Sequence, residues 1–233
     1  MTEGEAVSKA TLSGIKACVF DAYGTLFDFV TAARRCRDVL GNDPDRLAAL
    51  WRDKQLQYTW LRTVQGQHAD FWQVTSDALD FALDTLGIKV AELHDRLMGL
   101  YLELEAFPEV VEVLNSLRSS GLRLAILSNG SPRMLDAAVE AAGLRRYFDS
   151  ILSIEEVHVY KPHPKVYQLA VDRLGVSASA IIFVSANAWD AYAASAFGMR
   201  VVWCNRYSQQ RERLPGNPDH EIKSLLELPG LAG

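Results

Sequence analysis

Short apolar runs that stop at polar residues recur along this chain. Residues 15–20 (IKACVF) lead into Asp21 and Gly24, residues 122–127 into Ser128, and residues 180–184 into Ser185. Residues 200–204 form a fourth run, and residues 151–154 a weaker fifth. Continuous apolarity over so few residues is the pattern of a strand buried on both faces, as in a parallel sheet. Between these runs the signals are helical. Pro108 opens a helix to Ser120, with Gly121 as its stop, and Ser131 with Pro132 starts one closed by Gly143. Residues 164–174 end at Gly175, and residues 190–197 at Gly198. A polar cap or proline at the start and glycine at the end suit helix termini. Strand and helix alternate, which predicts an α/β fold with a parallel sheet and helices on both faces.

Residues 30–106 break that alternation and show no strand pattern. Asp43 and Pro44 cap a helix carrying Leu47, Leu50, Trp51, Leu56 and Trp60; a second spans residues 71–86, ended by Gly87, and a third residues 90–104. We expect a helical cap inserted after the first strand and lying over the active site. The core is then residues 15–29 and 107–233, with residues 1–14 as an N-terminal tail.

A chain of 233 residues, 49% hydrophobic and 23% charged, can bury a substantial core in this arrangement. A net charge of −5 without a Lys/Arg cluster excludes nucleic acid as the main partner. The polar start has no signal-peptide core and no apolar run reaches the length of a membrane span, so a cytoplasmic protein is expected. Cys18, Cys36 and Cys204 have no metal-ligand spacing and no disulfide framework, which agrees with a reducing compartment.

In an open α/β sheet, ligands bind outside the carboxyl ends of the strands. Polar groups occupy those ends: Asp21, Tyr23, Gly24 and Thr25; Ser128 and Asn129; Ser185, Asn187 and Asp190. A fourth polar element, Tyr160-Lys161-Pro162, precedes a helix. A lone Asp after a strand is usually a turn residue, but four such groups in alternating order are specific.

The segments FDAYGTLFD (20–28), LSNGSP (127–132), YKPHPKVY (160–167) and VSANAWD (184–190) resemble the haloacid dehalogenase superfamily. They are closer still to its L-2-haloacid dehalogenases, and LWRDKQLQYTWLR (50–62) looks like their cap helix. The resemblance covers roughly residues 15–220 and implies a Rossmann-like core. It implies hydrolytic dehalogenation of small L-2-haloacids to D-2-hydroxy acids through an aspartyl ester, without cofactor or metal, in an enzyme that is commonly a homodimer.

The resemblance also assigns roles. Asp21 is the nucleophile, and Lys161 beside it favours the ionised carboxylate. Asp190 orients Lys161 or helps activate the hydrolytic water. Ser185 and Asn187 hold that network, and Thr25 positions the Asp21 carboxylate. Ser128 binds the substrate carboxylate. Asn129, Arg52 and Trp189 cradle the departing halide, where a cation lowers the barrier; Arg62 and Lys54 on the same helix do not match the motif. Tyr23, Leu56, Phe71 and Trp189 form an apolar wall, Tyr167 matches a tyrosine near the lysine, and His163 reads as structural. His68, His94, His158 and His220 have no ligand-like spacing.

Asp53 departs from the pattern, because relatives usually carry Gln after the arginine. A carboxylate there could pair with Arg52 or repel an anionic substrate.

Superfamily phosphatases need a second Asp two residues after the nucleophile and an acidic pair for Mg²⁺. Here the first position is Tyr23 and the second region offers Asp190 alone. Halide needs no proton to leave, so these losses disable phosphoryl transfer and leave dehalogenation intact. A module that keeps the fold without turnover would have no need of Asp21, Lys161, Ser128 and Asn129 together.

Overall fold

The computed structural model describes residues 11–41 and 44–232. Six parallel strands form one sheet in the order β3-β2-β1-β4-β5-β6. They are β1 (Ala17–Phe20), β2 (Arg123–Ser128), β3 (Ser150–Ser153), β4 (Ile181–Ser185), β5 (Arg200–Cys204) and β6 (His220–Ile222). All four residues of β1 and all five of β4 are buried, which is why both read as unbroken apolar runs. The order reverses at β1, which pairs with β2 on one side and β4 on the other. The crevice at that switch point lies directly beyond Phe20.

The sequence placed five of these strands and missed β6. Two of its three residues are polar, and only pairing with β5 makes it a strand. Helices α6 (Val110–Ser119), α7 (Pro132–Ala141), α8 (Pro164–Leu174) and α9 (Ala188–Phe197) fall where the punctuation set them. Ser131 caps α7 by accepting from the Met134 N–H, and Gly175 takes the left-handed conformation that ends α8.

Between β1 and α6 lie five helices: α1 (Val30–Arg34), α2 (Arg37–Leu40), α3 (Pro44–Gln65), α4 (Phe71–Leu86) and α5 (Leu93–Tyr101). The expected Asp43 cap lies outside the described residues. α1 and α2 were not expected; they are too short to show a helical period. α4 is capped at Asp70, whose carboxylate accepts from the Gln73 N–H. α3 and α4 pack side by side, and the Trp51 indole N–H donates to the Thr75 carbonyl at 2.8 Å across their seam.

The tail expected through residue 14 ends earlier. Leu12 is buried, and its N–H donates to the Leu231 carbonyl at 2.8 Å.

Candidate active site

Asp21 follows the last residue of β1, and its backbone N–H donates to Val184 of β4 at 2.9 Å. The side chain therefore starts from a position locked between two strands. Its Oδ2 accepts from Asn187 Nδ2 at 2.7 Å, Thr25 Oγ1 at 3.1 Å and Ser185 Oγ at 3.3 Å. Its Oδ1 accepts from Lys161 Nζ alone, at 3.0 Å. One oxygen is thus saturated with donors while the other keeps a lone pair free. Thr25 is itself fixed, because its hydroxyl accepts the Ala186 N–H at 2.8 Å.

Lys161 is 1% exposed and bridges two carboxylates, with Asp190 Oδ2 at 2.8 Å on the other side. Burial works to lower its pKa. The charges of Asp190 and Asp21 and the hydrogen bonds to both outweigh burial, so the ammonium is held above its ordinary value. Asp190 is fully buried in the first turn of α9, and its second oxygen accepts from the Tyr167 hydroxyl at 2.7 Å. Burial pushes its carboxyl above the usual range, with the Lys161 charge opposing and Asp21 adding to the rise. Burial pushes the Tyr167 hydroxyl up as well, and the Asp190 charge beside it adds to the shift.

β2 runs two residues past the level of Phe20, which brings Ser128 to the level of Ala22. Ser128 is buried and accepts the Gly130 N–H at 3.1 Å. The side-chain oxygen of Asn129 accepts the Lys161 backbone N–H at 3.0 Å, so this residue helps to position the lysine. Gly130 must lack a side chain, because a Cβ there would meet the Tyr23 hydroxyl at 2.9 Å and Leu135 Cδ2 at 3.0 Å. Tyr23 lies between Phe71 and Tyr101, at centroid distances of 5.9 and 5.3 Å, and its buried hydroxyl has no hydrogen-bond partner.

Arg52 reaches this centre from α3. Its guanidinium donates to Gln55 Oε1 at 2.8 Å, approaches Asn187 Oδ1 at 3.4 Å and lies over the Phe29 ring at 5.2 Å. Arg62 instead pairs with Asp77 at 3.0 Å, and Lys54 sits over Phe81 at 4.1 Å. Asp53 is exposed, and among the described residues no ion pair joins it to Arg52. Leu56 and Trp189 are half-buried, and the Trp189 ring stands edge-on to Trp60 at 5.5 Å. These two tryptophans, with Tyr160, Lys161 and Phe197, line a mainly apolar groove of about 820 Å³. His163 accepts the Lys165 N–H at the start of α8, as a structural residue would.

Sequence reasoning missed Gln55, Thr75, Tyr101 and Phe29. Gln55 is buried; its amide donates to Thr75 Oγ1 at 2.7 Å and Tyr101 at 3.3 Å while its oxygen holds Arg52. Its only sequence signal is a polar residue one turn from Trp51, on the apolar face of α3.

Phosphatases of this fold place a divalent cation against the nucleophile. The donor set does not suit one here, because the Lys161 ammonium lies between Asp21 and Asp190 and the other neighbours of Asp21 donate N–H or O–H. Fold and site together define an α/β protein with a buried Asp–Lys–Asp cluster at the sheet's switch point.

The chain belongs to the haloacid dehalogenase-like hydrolases, whose family model matches residues 15–198. It is 46% identical over 218 residues to the (S)-2-haloacid dehalogenase 1 of Pseudomonas sp. (strain CBS-3), covering 93% of this chain and 96% of that one. A crystal structure of a dehalogenase with an intermediate complex superposes with a TM-score of 0.92 at 46% identity, covering 94% and 97% of the two chains. The L-2-haloacid dehalogenase from Xanthobacter autotrophicus with chloropropionic acid covalently bound superposes at 0.86 and 37% identity, covering 92% and 97%.

Proposed function

We propose that this chain is a hydrolytic dehalogenase that converts small L-2-haloacids to D-2-hydroxy acids through an ester of Asp21. The observation that carries the reading is the asymmetry of the Asp21 carboxylate: three donors hold Oδ2, and Lys161 alone holds Oδ1. Oδ1 attacks C2 from the face opposite the halogen. The C–X electron pair leaves as halide, and configuration inverts. Water then attacks the ester carbonyl carbon and the Cγ–Oδ1 bond breaks; one water proton passes to Oδ1 as it leaves in the hydroxy acid, and the other is released to solvent as the carboxylate is restored.

Arg52 meets the negative charge that develops on the leaving halide; its hydrogen bond to Gln55 supports that aim. Asn129 and Trp189 complete the halide cradle. Ser128 binds the substrate carboxylate, and Tyr23, Leu56 and Phe71 wall the alkyl group. Asp190 orients Lys161 rather than serving as base, which the engagement of both its oxygens supports. The helices of residues 30–106 act as a cap that carries Arg52 onto the core, and its closure excludes water.

The three cysteines are free and buried, which suits a reducing cytoplasm, and no described helix is long and apolar enough to cross a membrane. The enzyme acts as a homodimer through the exposed apolar face of α3.

Halide release from each enantiomer of 2-chloropropionate, with excess EDTA, tests the reading. Turnover of the L-form alone, unaffected by EDTA and reduced at least about 10⁴-fold in Asp21→Asn, is expected, since losing a nucleophile costs on that order. Release from the Asp21→Asn variant at a wild-type rate would remove the ester mechanism.

A further inference from the structure

Outside the Asp21 cluster, the fold brings one histidine to a carboxylate 87 residues further along and to a second histidine just beyond it. His68 lies in the loop between α3 and α4, Glu155 in the turn after β3, and His158 three residues beyond it. One His68 nitrogen, Nε2, is 2.8 Å from Glu155 Oε2. The two imidazole rings meet edge-on with centroids 5.2 Å apart. Among the described residues this is the one group of three His, Cys, Asp or Glu whose ligand atoms converge, all within 4.8 Å of one another.

A further feature holds the three together. Among the described residues the second His68 nitrogen, Nδ1, has no hydrogen-bond partner, so the ring's polar contact to Glu155 runs through Nε2. His158 holds a left-handed backbone, φ 52°, which non-glycine residues seldom adopt. Its N–H donates to the Ile154 carbonyl at 3.0 Å, and the turn that results brings its ring to His68.

We propose that His68, Glu155 and His158 bind one divalent transition-metal ion. Two imidazoles and one carboxylate are a recurrent zinc ligand set, and exposed His158 leaves the fourth position open to water. Imidazole favours Zn²⁺, Ni²⁺, Cu²⁺ or Co²⁺ over Mg²⁺ and Ca²⁺. Ligands on one tetrahedral ion with bonds of about 2.0–2.1 Å stand roughly 3.4 Å apart. His68 Nε2 and Glu155 Oε2, hydrogen-bonded at 2.8 Å, part by roughly 0.6 Å as the ion replaces the proton between them, and exposed His158 supplies the third ligand.

The site joins two parts of the molecule. Glu155 Oε1 also accepts the N–H of Phe71, the first residue of α4, at 3.2 Å. The His68 ring packs on Tyr160 at 5.3 Å, and the Tyr160 hydroxyl donates to the Ala69 carbonyl at 2.6 Å. A bound ion therefore ties the helical insertion to the loop that leads into Lys161. It shares no residue with the Asp21 cluster, so binding and dehalogenation are separable.

The test is titration of the full chain, freed of metal by chelation, with Zn²⁺ by calorimetry and with Co²⁺ by visible absorption. One ion per chain is expected in wild type and in His94→Gln, a half-buried histidine outside the group that serves as control. Affinity is expected to fall at least the roughly tenfold that loss of even a supporting group costs, in both Glu155→Gln and His158→Gln. The first keeps an acceptor for the Phe71 N–H, and the second alters only an exposed ring, so both fold. No one-to-one binding by wild type would overturn the proposal, as would affinity unchanged in either variant or lost equally in His94→Gln.

Discussion

Lys161 carries a charge that burial alone would remove. An ammonium taken out of water loses several kcal/mol of solvation, and here two carboxylates restore it from opposite sides. Because the folded value lies above the unfolded one of about 10.4, the stability from this pair is fully present below that pH. It is lost only as pH rises through the folded value. Tyr23, Tyr101 and Tyr167 are pushed up as well, chiefly by burial, so none of them titrates earlier. Halide release is expected to stay on a plateau to at least about pH 10 and fall above it. An alkaline midpoint below about 9 in a pH–rate series would show that Lys161 is not the group that limits turnover. The motifs made Asp21, Lys161 and Asp190 legible. They could not show that one ammonium serves both carboxylates, since Lys161 is 140 residues from Asp21 and 29 from Asp190.

Helix boundaries followed the punctuation wherever a cap or glycine marked them, as at Ser131, Gly87 and Gly175. The seam between α3 and α4 had no such marker. Trp51, Gln55 and Thr75 meet there through one indole bond and one amide bond, both buried. Gln55 then presents its oxygen to Arg52, so the seam also sets the cation's position. Trp51→Phe removes the bond to the Thr75 carbonyl and leaves a void. It is expected to cost about 1–3 kcal/mol of stability, read as a lower urea midpoint at unchanged slope. Wild-type stability in that variant would mean the seam is held by apolar packing alone. β6 was illegible for a related reason: three residues with two polar ones have no strand period until an edge forms beside them.

α3 is the element through which the parts of the molecule meet. One side lies on α4, Arg52 reaches the core crevice, and Leu61 and Val64 are 55% and 86% exposed. Apolar side chains so exposed on a helix whose other face is packed suit an interface between two copies. Light scattering after size exclusion is expected to give twice the chain mass, and Val64→Glu to shift it toward the monomer. A wild-type monomer at micromolar concentration would remove the homodimer.

The alternation of buried runs and capped helices was enough to specify a parallel α/β sheet, because both periods are local and a strand buried on two faces has no polar positions to disguise it. Three motifs at strand ends and a fourth before a helix were enough to single out the candidate groups, because chemistry restricts residue type. Tertiary structure alone decided which oxygen of Asp21 stays free. It also decided that the Gln55 amide meets Thr75 and that His68 meets Glu155. These are relations between side chains distant in sequence. No local period or motif encodes them, and they come into being only when the helical insertion packs on the sheet.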